Sequence, residues 1–164
     1  AVILWDAQTG EAEQRMQGGP DGAVLFISFS ADGARLASAS DEGSIRVWDA
    51  ATGALLHTIP EAHQGYAYCV HFSPRDTRLL ASAGADQIHF WDVDSGVKLR
   101  SFPSRLFAVF SPGGRTIATG SANFREVHLV DAESGAERVR MVGHAGTVFC
   151  ASFSLDDGSK LASG

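Results

Sequence analysis

Short runs of β-branched, aromatic and small apolar residues alternate along the chain with clusters of Asp, Gly and Ser, and the alternation repeats. The segment RLASASDEGSIRVWD (Arg35 to Asp49) returns as RLLASAGADQIHFWD (Arg78 to Asp92) and, more loosely, as RTIATGSANFREVHLVD (Arg115 to Asp131). Each copy predicts two short strands joined by a tight polar turn, because β-branched and aromatic residues bracketed by turn formers signal a hairpin. Three markers set the interval. Phe-Ser pairs fall at Phe29, Phe72, Phe110 and Phe153, spaced 43, 38 and 43 residues. Trp-Asp or Val-Asp pairs fall at Trp5, Trp48, Trp91 and Val130, spaced 43, 43 and 39. Thr-Gly or Ser-Gly turns follow at Thr9, Thr52, Ser95 and Ser134. Each period then holds four strands and three turns. In the first full repeat the strands are expected over Val24–Phe29, Leu36–Ser40, Ile45–Trp48 and Ala54–Ile59. No segment sustains helical periodicity over ten residues, which makes the chain all-β.

Leu25-Phe26-Ile27 and Leu55-Leu56 run apolar without alternation. Such runs predict strands covered on both faces, as when small antiparallel sheets stack radially against one another. The Ala/Ser-rich second strand fits that picture, since small side chains let neighbouring sheets approach closely. The period of about 43, the closing Trp-Asp, the Ala62-His63 and Gly143-His144 pairs ahead of a strand, and the LASAS/LASAG strand together resemble WD40 repeats. The resemblance covers essentially the whole chain. It implies a β-propeller built of four-stranded antiparallel blades. Residues 1–17 then supply a half blade, 18–60, 61–103 and 104–142 three full blades, and 143–164 a second half blade. The ring is expected to be partial, a fragment of a larger propeller. The alternatives are a split fourth blade closing a four-blade ring, and self-association of two half-propellers into one ring of eight.

The totals narrow the function classes. The chain has 164 residues, 45% apolar and 20% charged, with a formal net charge of −6. Only Lys98 and Lys160 are lysines. That balance argues against a polyanion as the main partner, so nucleic acid is not expected. No apolar run approaches the roughly 20 residues of a membrane helix, and no membrane partner is expected. The two cysteines, Cys69 and Cys150, make no disulfide scaffold. They are expected to be small buried thiols, and they lean toward a reducing, cytoplasmic setting.

The six histidines show no metal-ligand spacing, and no phosphate-binding glycine loop is present. Neither a metal nor a cofactor is expected. His89 and His128, two residues before Trp91 and Val130, are expected to be partly exposed strand residues. A Ser, His and Asp set on a β scaffold has the composition of a hydrolase triad. Here it recurs inside a repeat without a strained nucleophile turn, so the chain is not expected to be an enzyme. The resemblance gives those residues a structural role instead, as a hydrogen-bonded lock of Trp, Ser or Thr, His and Asp within a blade. The second full blade matches through His63, Ser82, Asp86 and Trp91. The first keeps Ser38 and Trp48, with Pro20 at the His position. The third has Ser101 at the His position, Thr119 and Val130, and no lock. His144 and Ser163 restore the pattern at the end of the chain.

What remains is surface. In the family, partners commonly dock on the face formed by loops entering the first strand and joining the second to the third. On this chain that face holds Gln64, Tyr66, Arg105, Phe124 and Arg125. Phe124 has two readings, as an interface anchor or as filler for the space left at Val130. The expected function is a non-catalytic protein-interaction scaffold with other proteins as partners. The alternative is a sensory or regulatory WD40 region of a larger signalling enzyme whose catalytic domain lies elsewhere.

Overall fold

The computed structural model describes residues 1–17, 22–85, 87–103, 105–121, 123 and 125–164, with the Arg105 side chain outside that description. The described residues form sixteen strands. A two-stranded sheet comes first, β1 (Val2–Trp5) and β2 (Ala12–Met16). Three four-stranded antiparallel sheets follow. The first comprises β3 (Val24–Phe29), β4 (Arg35–Ser40), β5 (Ile45–Asp49) and β6 (Leu55–Ile59). The second comprises β7 (Cys69–Phe72), β8 (Leu79–Ala83), β9 (Gln87–Asp92) and β10 (Lys98–Pro103). The third comprises β11 (Arg105–Phe110), β12 (Thr116–Gly120), β13 (Glu126–Asp131) and β14 (Glu137–Val142). A last two-stranded sheet holds β15 (Ala151–Phe153) and β16 (Leu161–Ser163). In every sheet the strands pair in chain order, and among the described residues the two two-stranded sheets do not pair with each other.

Each turn has a local cause. After the third strand of a repeat, one Asp carboxylate gathers the backbone amides ahead of it. Asp6 accepts from the Gln8 and Thr9 amides at 2.7 Å, and Asp49 from the Thr52 amide at 2.8 Å and its hydroxyl at 2.7 Å. Asp92 and Ser95 repeat the arrangement at 2.9 and 2.8 Å, as do Asp131 and Ser134 at 2.9 and 3.0 Å. Hydrogen bonds to the charged form hold all four carboxyls below the usual range, with Arg138 adding to the effect at Asp131. The Asp of the Trp-Asp marker is therefore the organiser of the turn between the outer two strands.

The core lies between the sheets. One cluster joins Ala37, Ala39 and Val47 of the first full sheet to Val70, Phe72 and Leu80 of the second. Another joins Ala81, Ala83 and Phe90 to Ala108, Phe110 and Ile117 of the third. The small second strand (Leu36-Ala37-Ser38, then Leu80-Ala81-Ser82) is buried on both faces, because alanine and serine leave room for the next sheet. Outer strands reach across as well. Gln14 donates to the Ala51 carbonyl at 2.9 Å, and Arg100 to the Ala132 carbonyl at 3.1 Å.

The expected coverage of both faces holds for the middle strands and fails at the residues that suggested it. In β3, Leu25, Ile27 and Phe29 are exposed, and so are Leu55 and Leu56 in β6. Phe26 and Ser28 face the second sheet: Phe26 packs 5.1 Å from His71, and Ser28 Oγ accepts the Phe72 amide at 3.3 Å. On its other side β3 borders a slot that it shares with Val2 and Ile3 of β1. Of the two cysteines expected to be buried, only Cys69 is: its thiol is covered by the third full sheet, 3.7 Å from the Ala108 carbonyl, and burial pushes it up to about 12, whereas the Cys150 thiol is exposed, 3.7 Å from the Gly164 carbonyl.

His71 sits in the contact between the first two full sheets, and burial lowers it from 6.5 to about 4. An unfolded chain takes up that proton near pH 6.5 and the folded chain only near pH 4, so the contribution is complete above pH 6.5 and is lost between the two values. Comparison of urea midpoints at pH 7 and pH 4.5 should show the wild type losing roughly 1–3 kcal/mol more than His71→Phe. Parallel losses in the two proteins would show that His71 is solvated in the folded state.

Candidate functional site

The second full sheet carries a buried polar triad at its centre. Trp91 Nε1 donates to Ser82 Oγ at 2.8 Å, and His63 Nε2 lies 2.8 Å from the same oxygen. All three side chains are buried. A serine oxygen can accept one bond and share its own proton, so it satisfies an indole N–H and an imidazole nitrogen together. Gly84 makes room for the imidazole, since a Cβ there would stand 2.4 Å from His63 Nδ1. Asp86, assigned to the same lock from the sequence, lies outside the described residues.

His89 is not the partly exposed strand residue expected. It is buried, stacked on His63 with centroids 4.5 Å apart, edge-on to Trp91 at 5.6 Å, and bonded through Nδ1 to Ser101 Oγ at 2.8 Å. Ser101 is thereby corrected too. It belongs to β10, the outer strand of the second full sheet, rather than to the His position of the third. His128 is half-buried between Glu126 at 3.1 Å and Glu137 at 2.9 Å.

The other sheets use parts of the same device. In the first, Trp48 Nε1 donates to Ser38 Oγ at 3.0 Å, both groups being buried, while Pro20 lies outside the described residues. In the third, Thr119 Oγ1 donates to the Phe107 carbonyl at 2.8 Å, and Val130 takes the place of the indole. At the end of the chain, His144 Nε2 lies 2.8 Å from Ser163 Oγ, exposed to solvent.

The residues expected to meet partners lie at the sheet ends where first strands begin and second strands end. Gln64 and Tyr66 sit in the loop ahead of β7, and backbone bonds fasten that loop to the preceding sheet. The His63 amide donates to the Gly43 carbonyl at 3.1 Å, and the Ala67 amide to the Ser40 carbonyl at 3.0 Å. Gly43 is required there, because a Cβ would stand 2.3 Å from two backbone carbonyls. The backbone of Arg105 pairs with Gly120 at the same end of the third sheet. Arg125 is exposed in the turn before β13, its amide donating to Asn123 Oδ1 at 3.1 Å. Phe124, with both of its readings, lies outside the described residues.

The family model for the WD domain, G-beta repeat, matches residues 11–49 and 53–92, so the two matches span half of the chain. The chain belongs to the WD40 repeat family. Each matched WD40 repeat begins on the outer strand of one sheet and ends on the third strand of the next: β2 with β3 to β5, then β6 with β7 to β9. Sequence repeat and blade are therefore offset by one strand, which binds successive blades covalently. The matches stop at Asp92, before the blade in which Val130 replaces Trp. No curated protein sequence matches the chain. WD40 repeats are generally non-catalytic and typically serve as protein-interaction scaffolds.

Truncating Ser82 strands two buried partners, the Trp91 indole and His63 Nε2, whereas truncating Ser38 strands only the Trp48 indole. Each buried group left without a partner costs about 1–3 kcal/mol. Ser82→Ala should therefore destabilise the chain by roughly 1 kcal/mol or more beyond Ser38→Ala, measured by urea denaturation at pH 7. Equal losses would mean that His63 draws nothing from Ser82.

Proposed function

We propose that this WD40 chain is a non-catalytic platform whose partner proteins dock on the rim carrying Gln64, Tyr66, Arg105 and Arg125. The observation that carries the proposal is Tyr66. The residue is 51% exposed and its ring stands edge-on to Tyr68 at 5.6 Å, in a loop held by backbone bonds to the neighbouring blade. An exposed aromatic side chain on a fixed backbone loses little freedom on binding, and Tyr and Arg dominate interface energetics. The exposed Arg125, in a turn ordered by Asn123, offers a cation on the same rim. Stacked blades keep that rim stiff while leaving its loops free to vary. The same proposal sets the chain in the cytoplasm, where an exposed free thiol such as Cys150 is compatible with a reducing environment.

The test compares proteins retained on wild type, Tyr66→Ala, Arg125→Ala and Leu55→Ala, the last on an outer strand away from the rim. A partner lost from the two rim variants, kept by Leu55→Ala, and weakened at least tenfold in direct titration supports the platform. All variants should melt within a degree or two of wild type, because every altered side chain is exposed. Binding unaffected by both rim substitutions would move the docking face elsewhere.

A further inference from the structure

We propose that the blades hold a binding site for an uncharged small molecule with a flat apolar body and one hydroxyl group, which bonds to His71. The site lies where the first strands end, opposite the rim described above, and does not depend on it.

The repeat itself builds the cavity. In β3, β7, β11 and β15 the marker phenylalanine is the last residue of the strand, and each of these strands contacts the next. A cavity of about 410 Å³ opens among their ends, within the size range of small-molecule sites. Ser28, His71, Val109 and Ser152, the residues just before the phenylalanines, line it together. So do Ala31, Pro74, Pro112 and Leu155, which stand two places after them in the turns. Equivalent positions of four successive repeats thus meet at one space. Phe72, Phe110 and Phe153 are buried and give it fixed walls, whereas Phe29 and Leu155 are exposed and open to an arriving ligand.

The lining selects by charge. Among the described residues no Asp, Glu, Lys or Arg borders the cavity. A charged ligand would leave water there without gaining a counter-charge, a cost that an uncharged one of the same shape does not meet. The phenylalanine and proline rings offer flat apolar surface to a flat apolar body.

One hydrogen-bonding group in the wall is left for the ligand. Ser28 Oγ already accepts the Phe72 amide at 3.3 Å, and Ser111 Oγ the Thr116 amide at 3.3 Å. Ser152 is exposed and meets solvent. His71 is half-buried, its ring packs 5.1 Å from Phe26, and it has no hydrogen-bond partner among the described residues. Burial holds the imidazole uncharged at neutral pH. A neutral imidazole has one N–H and one bare nitrogen, and a hydroxyl can accept from the first or donate to the second, whichever faces the cavity. Apolar walls with one such group bind a hydroxylated ring and discriminate against the ring that lacks the hydroxyl.

The probe is 2-naphthol, which has the stated form and fluoresces. Naphthalene lacks its hydroxyl, and 2-naphthoate bears a charge in that place. Wild type should bind 2-naphthol at one saturable site, at least tenfold more tightly than either analogue. His71→Phe should abolish the preference over naphthalene while leaving naphthalene binding unchanged. Phe29→Glu, on an exposed side chain, should weaken 2-naphthol at least tenfold, whereas Tyr66→Ala on the rim should bind it as wild type does. In wild type the His71 ring-proton resonances should move as 2-naphthol is added, a measurement that needs no variant to fold. Absence of saturable binding, equal affinity for 2-naphthol and naphthalene, tighter binding of 2-naphthoate, or His71 resonances that stay in place would overturn the proposal.

Discussion

A four-stranded sheet whose middle strands are buried on both faces cannot stand alone, and this requirement shapes the whole molecule. Leu36 to Ser40 and Leu80 to Ala83 present almost nothing to water, but only because another sheet lies on either side. Alanine and serine at these positions contribute little apolar area of their own. Their value is steric, letting larger residues such as Val70, Phe72, Phe90 and Phe110 reach across from the adjoining blades. Stability is then shared between neighbours, as in other stacked repeats, and a blade is stable in proportion to what covers it.

Close approach brings polar backbone and indole groups into the interior, and the serine-centred bonds meet that demand. Burying an unpartnered N–H costs more than an ordinary hydrogen bond contributes, so the Trp-Ser contact permits a large apolar ring in the blade. The blades fulfil this in graded fashion: serine with Trp and His in the second, serine with Trp in the first, and threonine on a backbone carbonyl in the third. At the opposite end of the strands, the Asp-centred turns do comparable work in solvent. Between these two sets of bonds the strand lengths are set, and the rim loops start from defined positions.

Most of the architecture could be read from local chemistry. Turn formers at regular intervals marked the strands to within a residue, because a turn of Asp, Thr or Ser, and Gly is specified by its own side chains. What depended on distant neighbours was not legible. Leu25 and Ile27 read as doubly covered because their apolar run resembles the buried strands; which sheet lies beside β3 is not a local property. His89 was expected to be partly exposed from its place two residues before Trp91, yet Ser101 and the stacked His63 hold it in the interior. Ser101 itself was set in the wrong blade because β10 and β11 are separated by a single residue, with no turn cluster to mark the change of sheet. On the rim, Tyr66 and Arg125 were recognisable by position in the repeat, but the bonds that hold the Tyr66 loop against Ser40 and Gly43 join separate repeats.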